Sequence, residues 1–494
     1  MALSLGPDLP EISRAAVFGL ARSGRAAADA LMARGVEVVG TDLRNVDALD
    51  ALPEHSRFTA VLGGHPDSLL ADVDLVVVSP GIPLVLPIFD AARARGIPVV
   101  SEVELASRLL PGVVVGVTGT NGKSTTTALI VALLNASGRD AVACGNFGTP
   151  WISFDLGVSR SPQTPHEGLG QGDEVLAYSP NRVWVVELSS FQLEGTRRFA
   201  PDVAVHLNLT PDHLDRYRSL DDYGAAKARI FTNQREAQVA VVNVDDPLVA
   251  RIRTRARRME FSRFGVPEQG VGFADGRFVW SDRRKGRRVF AERSDLALPG
   301  MHNLENALAA LAATVAMGVT PESAVSTFRS FRGLPHRTEL ISMRGGVAYY
   351  NDSKGTNVDA TLKSLEGFPD KSVWLILGGK DKGDDFARLA PLVMRKARRV
   401  LTIGDAGDAI ADALQASAAG VAVTRATTLE QAVQEAARGA ASGDVVLLSP
   451  ACASFDQFNN FEHRGEVFAR LVSSLDSVAP VDSTGSFTRT REAR

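Results

Sequence analysis

The run Val113-Val114-Val115-Gly116-Val117 leads without a break into Thr118-Gly119-Thr120-Asn121-Gly122-Lys123-Ser124-Thr125, and a helical stretch follows from Thr126 to Leu134. This joins a buried strand, a turn that needs glycine, and a helix whose N-terminus faces that turn. Glycines let backbone N–H groups converge on phosphate oxygens, and the helix end adds its partial positive charge. Lys123 supplies a cation to the outer phosphates, while the Ser124 hydroxyl suits a Mg²⁺ ligand. The spacing departs from GxxxxGK[ST]: Val117 stands where the first glycine belongs, and Gly119 falls later. Strand, loop, Lys-Ser pair and helix still follow in the right order and predict ATP binding. A phosphate loop alone leaves kinase, motor, switch and ligase open.

Around it, short apolar runs alternate with helical stretches. Ala15 to Gly19, Val36 to Gly40, Asp74 to Val78 and Ile97 to Val100 precede the loop. Val183 to Val186, Val203 to Leu207 and Val239 to Val242 follow it, and Val373 to Leu377, Arg399 to Ile403 and Val445 to Leu448 repeat the rhythm. Such alternation predicts an α/β chain with parallel, doubly wound sheets covered on both faces. A chain of 494 residues is too long for one ordinary domain. Three are predicted: a Rossmann-like domain over 1–108, a central P-loop domain with a mostly parallel sheet over 109–333, and a Rossmann-like domain over 334–480. Residues 481–494 read as a disordered tail, and the Gly-, Pro-, Ser- and Gln-rich stretch Gly157 to Pro180 as a surface loop.

Composition removes several function classes. A formal net charge of -3 disfavours nucleic acid or an anionic membrane as the main partner. The basic clusters Arg251 to Arg258 and Arg283 to Arg288 lack interleaved aromatics and read as solvated faces. Cys144 and Cys452 lie far apart, as in a reduced compartment. No run is long enough to span a bilayer and no signal peptide is visible, so a soluble, cytoplasmic protein is expected.

Glu187 ends the strand beginning at Arg182, beside the phosphate loop, where a carboxylate can hold Mg²⁺. The strand Val203 to Leu207 runs into Asn208-Leu209-Thr210-Pro211-Asp212-His213-Leu214-Asp215. A His between carboxylates there suits metal or substrate. Lys227, read without context, is one lysine on a helix surface.

The segments GTNGKST, ELSSFQL, DHLD, MHNLENALAA, GLPHR, NDSKGTN, LGGKDK and SPACASFDQF occur in that order. Together the chain, over roughly residues 15 to 475, resembles the Mur ligases of peptidoglycan synthesis. ELSSFQL and SPACAS-DQF resemble the branch that adds D-glutamate to UDP-N-acetylmuramoyl-L-alanine. The resemblance implies three domains and an ATP-dependent ligase acting through an acyl phosphate and a tetrahedral intermediate. Those steps build negative charge on phosphoryl and acyl oxygens, which lysines, Mg²⁺ and backbone amides stabilise.

The resemblance also implies roles. Gly119, Thr120, Asn121, Gly122, Lys123, Ser124 and Thr125 hold the phosphates, with Ser124 and Glu187 on a first Mg²⁺. His213 helps hold a second, and Lys227 carries a carbamate that serves as a metal ligand. Asn146 contacts the muramoyl substrate, and Asn303 and Asn306 lie near adenine. Arg337 reaches the γ-phosphate, while Asp352 and Lys354 touch ribose and phosphate. Thr356, Lys382, Ser454 and Phe461 take D-glutamate, with Lys380 able to exchange roles with Lys382. Uracil and diphosphate fall to Leu20, Ala21, Arg22 and Ser23 between Gly19 and Gly24, to Asp42 and Arg44, and to Ser79, Pro80 and Gly81. That first turn is not GxGxxG, so NAD is not expected. Gly355 stands where the family usually has Ala, and the 157–180 insertion is unusual. A monomer is expected. A sister Mur ligase, a folylpolyglutamate synthetase and a non-catalytic nucleotide switch remain as alternatives.

Overall fold

The computed structural model describes residues 2–45, 49, 52–156, 182–212, 216–381, 383–417 and 420–475. The 157–180 loop, the 481–494 tail, His213 and Lys382 lie outside the described residues. The described residues form two compact units, one within 1–298 and 303–331, the other within 299–302 and 332–494.

The first unit holds two sheets. One consists of β1 (Arg14–Phe18), β2 (Glu37–Asp42), β3 (Phe58–Leu62), β4 (Leu75–Val78) and β5 (Val99–Ser101). Its order is β3-β2-β1-β4-β5, and every pairing is parallel. The other begins with β6 (Val113–Thr118), β7 (Asp140–Gly145), β8 (Arg182–Glu187), β9 (Val203–His206) and β10 (Val239–Asn243). It continues through β11 (Arg257–Ser262), β12 (Gly270–Ala274), β13 (Arg277–Asp282) and β14 (Gly286–Glu292). The order is β14-β13-β12-β11-β10-β9-β6-β8-β7, antiparallel only at β12–β13 and β13–β14. Valine-rich β6, β8, β9 and β10 are buried on both faces, which explains their unbroken apolar runs.

The second unit carries β15 (Glu339–Arg344), β16 (Val347–Asn351), β17 (Val373–Gly378), β18 (Ala397–Ile403), β19 (Ala422–Thr427) and β20 (Val445–Leu448). The order is β15-β16-β20-β17-β18-β19, parallel except at the β15 edge. The three α/β sheets bear out the predicted fold class.

Several features differ from the sequence reading, among them the strands β3, β15 and β19, which it did not name. The helix after the phosphate loop spans Lys123–Ala136, so it starts three residues before Thr126. Its polar first turn belongs to the helix and leaves N–H groups facing the loop. The four strands β11 to β14 were not anticipated, because glycines and outward-pointing arginines break the apolar pattern. Arg283, Arg284, Arg287 and Arg288 are exposed, as a solvated face requires.

Within the first unit, the helix Glu102–Leu109 joins the two sheets. Glu104 is fully buried, and its carboxylate accepts from the amides of Arg197 at 2.8 Å, Arg198 at 3.1 Å and Phe199 at 3.0 Å. Arg108 supplies the counter-charge, Nε to Oε1 at 2.7 Å. A buried charge so paired and hydrogen-bonded fixes the joint.

Candidate active site

β6 lies between β8 and β9, so the strand that enters the phosphate loop is flanked by the two that end at Glu187 and His206. Register places Glu187 opposite Val117 and Gly145. Functional groups therefore collect at the carboxyl ends of parallel strands.

The loop is braced rather than floppy. Thr120 N–H donates to the Asn208 carbonyl at 3.0 Å, and Asn121 N–H to Asn208 Oδ1 at 2.8 Å. Gly122 caps the helix with φ +81°, a conformation that favours glycine. A Cβ there would sit 2.2 Å from Asn306 Oδ1. Asn306 also accepts from Thr126 Oγ1 and donates to Asn303 Oδ1, each at 3.3 Å, so both asparagines back the loop.

Two lysine side chains converge on one carbonyl. Lys123 Nζ donates to Gly119 O at 3.0 Å and to Thr120 O at 2.9 Å. Lys227 Nζ, from the helix Leu220–Ala228, donates to the same Gly119 O at 2.9 Å. The bare reading of Lys227 as a surface residue is corrected: it is 1% exposed. The helix packs that face inward, and the ring of Tyr223 lies 4.6 Å from the ammonium. Burial, then the Lys123 cation, pulls the Lys227 amine down to about 6, against the fields of Asp212 and Glu187.

Glu187 is 2% exposed. Its Oε1 accepts from Asn146 Nδ2 at 2.8 Å, while Oε2 is buried with no hydrogen-bond partner among the described residues. Asn146 N–H also donates to the Glu187 carbonyl at 2.9 Å. An orphaned carboxylate oxygen beside a phosphate loop has the chemistry of a divalent-cation ligand. Ser124 is buried in the first turn of the helix. The sequence reading missed His206, fully buried with both ring nitrogens unpartnered among the described residues. Burial, helped by the nearby Lys227, holds it neutral with its pKa lowered to about 3.

The first sheet gathers the other residues of this unit. Gly19 has φ +84°, its carbonyl accepts from Ser79 Oγ at 2.7 Å, and a Cβ on Gly24 would fall 1.8 Å from it. Asp42 accepts from Leu20 N–H at 2.8 Å and from Arg44 Nε at 3.0 Å, and Arg44 holds its carboxyl far below the usual range. Ala21 N-caps the helix Arg22–Met32. Arg22 Nη2 donates to Gly148 O at 2.7 Å, two residues beyond Asn146. The carbonyl of Pro80, before Gly81, accepts from Arg216 Nη1 at 3.0 Å. Leu20, Asp42, Ser79 and Arg22 thus come together where β1, β2 and β4 end.

In the second unit, Asp352 follows β16 and is 7% exposed. It accepts from Ser449 Oγ at 2.7 Å and from Thr338 N–H at 3.1 Å. Burial raises its pKa to about 6, which Ser449 and, more weakly, the Arg337 cation oppose. Lys354 Nζ lies 3.7 Å from the ring centre of Phe461. Thr356 N–H donates to Lys354 O at 2.8 Å. Ser454, 2% exposed, follows the Lys380–Ala453 bridge. The buried guanidinium of Arg464 ties these loops, donating to Ser353 Oγ at 2.9 Å and to the carbonyl of Cys452 at 3.1 Å.

Fold and site together define an α/β nucleotide-triphosphate protein of the phosphate-loop class. Sequence profiles match in three consecutive stretches: the Mur ligase MurD-like N-terminal domain over 13–101, the Mur ligase middle domain over 117–314, and the Mur ligase glutamate ligase domain over 336–452. A UDP-N-acetylmuramoylalanine--D-glutamate ligase of Koribacter versatilis is 42% identical over 94% of this chain and 97% of its own length. Its namesake in Pelotomaculum thermopropionicum is 44% identical over 93% and 97%. The solved MurF ligase of Thermotoga maritima, in complex with ADP, shares the fold at a TM-score of 0.55 and 16% identity, covering 91% of this chain and 92% of its own. The chain belongs to the Mur ligase family, whose members are ATP-dependent. Among the described residues no helix is long and apolar enough to cross a membrane.

Proposed function

We propose that this protein is an ATP-dependent ligase that joins D-glutamate to UDP-N-acetylmuramoyl-L-alanine in peptidoglycan synthesis, in the cytoplasm. The observation that carries the reading is local. Lys123, Lys227, Asn146 and the unpartnered oxygen of Glu187 converge where a terminal phosphate and a substrate carboxylate would meet. Relatives more than 40% identical along nearly the whole chain, named for this reaction, supply the substrate class.

In this reading Lys123 and the loop amides of Gly119 to Thr125 neutralise charge on the transferring phosphoryl group. The substrate carboxylate attacks that phosphorus, ADP leaves, and the amine of D-glutamate displaces phosphate from the acyl phosphate. Asn146 orients the acyl group, and Asn303 with Asn306 supports the adenine side. Ser124, Glu187, His213 and a carbamate on Lys227 would hold a pair of Mg²⁺ ions. Those ions supply Lewis-acid charge neutralisation. Glu187 fits, because its buried Oε2 lacks a partner among the described residues. Lys227 fits, because only a neutral amine adds CO₂, and an amine near 6 is mostly neutral at physiological pH. Leu20 to Ser23, Asp42, Arg44 and Ser79 to Gly81 are assigned to UDP, Arg337, Asp352 and Lys354 to nucleotide, and Thr356, Lys382, Ser454 and Phe461 to D-glutamate. The domain division 1–108, 109–333 and 334–480 follows the same reading, as does a monomer.

The test is one incubation with ATP, Mg²⁺, UDP-N-acetylmuramoyl-L-alanine and a panel of amino acids, read by product mass. The D-glutamyl product alone is expected. Efficient turnover with L-lysine or diaminopimelate instead would move the chain to a sister ligase.

A further inference from the structure

Glu102 opens the helix that joins the two sheets of the first unit, and it is 2% exposed. Gln192 Nε2 donates to its Oε1 at 3.0 Å, and the Ser23 side chain faces the carboxyl and favours its charged form. Its Oε2 is buried without a partner among the described residues. Ser23 lies in the turn Gly19 to Gly24, at the ends of β1 and β4. Gln192 accepts at Oε1 from Ser189 N–H at 3.0 Å and Ser189 Oγ at 3.1 Å, and Ser189 stands two residues after Glu187. One carboxyl therefore links the turn of the first sheet to the cap that follows Glu187. A parallel tie runs from Arg22 to Gly148, beyond Asn146.

We infer that Glu102 is a positioning residue that holds the nucleotide-sugar turn in register with the Asn146–Glu187 end of the ATP site. This rests on the proposed function. The physical case is the cost of the arrangement: a carboxyl with an orphan oxygen in the interior is expensive to keep for packing alone, where an apolar side chain would serve. The groups facing Glu102 are neutral: Ser23 from the helix Arg22–Met32, Gln192 from the helix Ser190–Glu194, and Cys144 from β7. Its own helix neighbour Glu104 is paired with Arg108. With no cation among the described residues to hold its charge, burial pushes the Glu102 carboxyl up to about 7. Its proton therefore comes and goes near neutral pH.

The test compares Glu102→Ala and Glu102→Gln with wild type in the full-length protein, using ATP, D-glutamate and UDP-N-acetylmuramoyl-L-alanine between pH 6 and 9. Glu102→Ala is expected to raise KM for the UDP substrate about tenfold, with KM for ATP nearly unchanged, as a lost buried hydrogen bond would. Glu102→Gln keeps an acceptor for Gln192 and is expected to restore that KM, while removing a step near pH 7 in the wild-type KM profile. Equal rises in both KM values, or a Glu102→Gln profile that retains the step, would overturn the inference. The second criterion holds even if Glu102→Ala does not fold. Absence of wild-type turnover would overturn the proposed function and this inference with it. Normal wild-type turnover beside an unchanged Glu102→Ala overturns this inference alone.

Discussion

The side-chain amine of Lys227 donates to the carbonyl of Gly119 at 2.9 Å, linking the buried face of the helix Leu220–Ala228 to the first glycine of the phosphate loop. Lys123 donates to the same oxygen, so protonating Lys227 would set two cations on one acceptor. Their repulsion, added to burial, is what depresses the Lys227 amine. A depressed amine is a nucleophile for CO₂ at neutral pH. Activity in CO₂-depleted buffer is therefore expected to fall and to recover with bicarbonate. The recovery should weaken below about pH 6, where the amine takes a proton. Lys227→Ala should be nearly inactive and partly rescued by short carboxylates. Bicarbonate-independent wild-type activity would remove the carbamate from the reading.

Glu187 offers one satisfied and one orphaned oxygen. Glu187→Gln keeps the shape and the acceptor for Asn146 but deletes the charge. The Mg²⁺ concentration giving half-maximal phosphate release is expected to rise about tenfold or more, since charge dominates hard-cation affinity. A Mg²⁺ titration that superimposes on wild type would assign Glu187 a purely structural place.

Much of this is legible in the sequence. Apolar runs such as Val183 to Val186 announce strands buried on both faces, and the glycine-lysine turn announces its ligand. Lys227 was not legible, because its helix has no strong apolar stripe; only the packing of Tyr223 and Ala226 shows which face is inward. Glu102 and His206 were missed for a related reason, since a polar residue at a strand or helix end reads as exposed. Gln192 carried a usable signal, standing three residues after Ser189 as in a capping box. The hairpin β13–β14 was hidden by its arginines, which point to solvent while Phe278 and Phe290 face the core.

Ser454 is buried, and its carbonyl accepts from the amides of Gln457 at 3.3 Å and Phe458 at 2.9 Å. Those backbone bonds survive Ser454→Ala, so the loop should keep its shape while losing one hydroxyl. Steady-state kinetics are expected to show KM for D-glutamate rising about tenfold, the scale of one hydrogen bond to a charged group, with KM for ATP little changed. Equal effects on both would take Ser454 out of the amino-acid site.

Asp352 leads to a pH dependence whose sign can be worked out. Its folded-state pKa, about 6, lies above the ordinary 3.8, because burial outweighs the hydrogen bonds from Ser449 and Thr338. Between those values the folded protein keeps a proton that the unfolded chain has released. The folded state binds more protons there, so this group's contribution to stability falls as pH rises through the window. Above about 6 the buried charge is a constant cost. Asp352→Asn carries no such titration. The Tm of wild type minus that of Asp352→Asn is therefore expected to be more positive at pH 4.5 than at pH 7.5, with the change centred between the two pKa values. A difference that stays flat, or that grows toward alkaline pH, would mean that Asp352 is ionised throughout and held by Arg337 more strongly than burial opposes it.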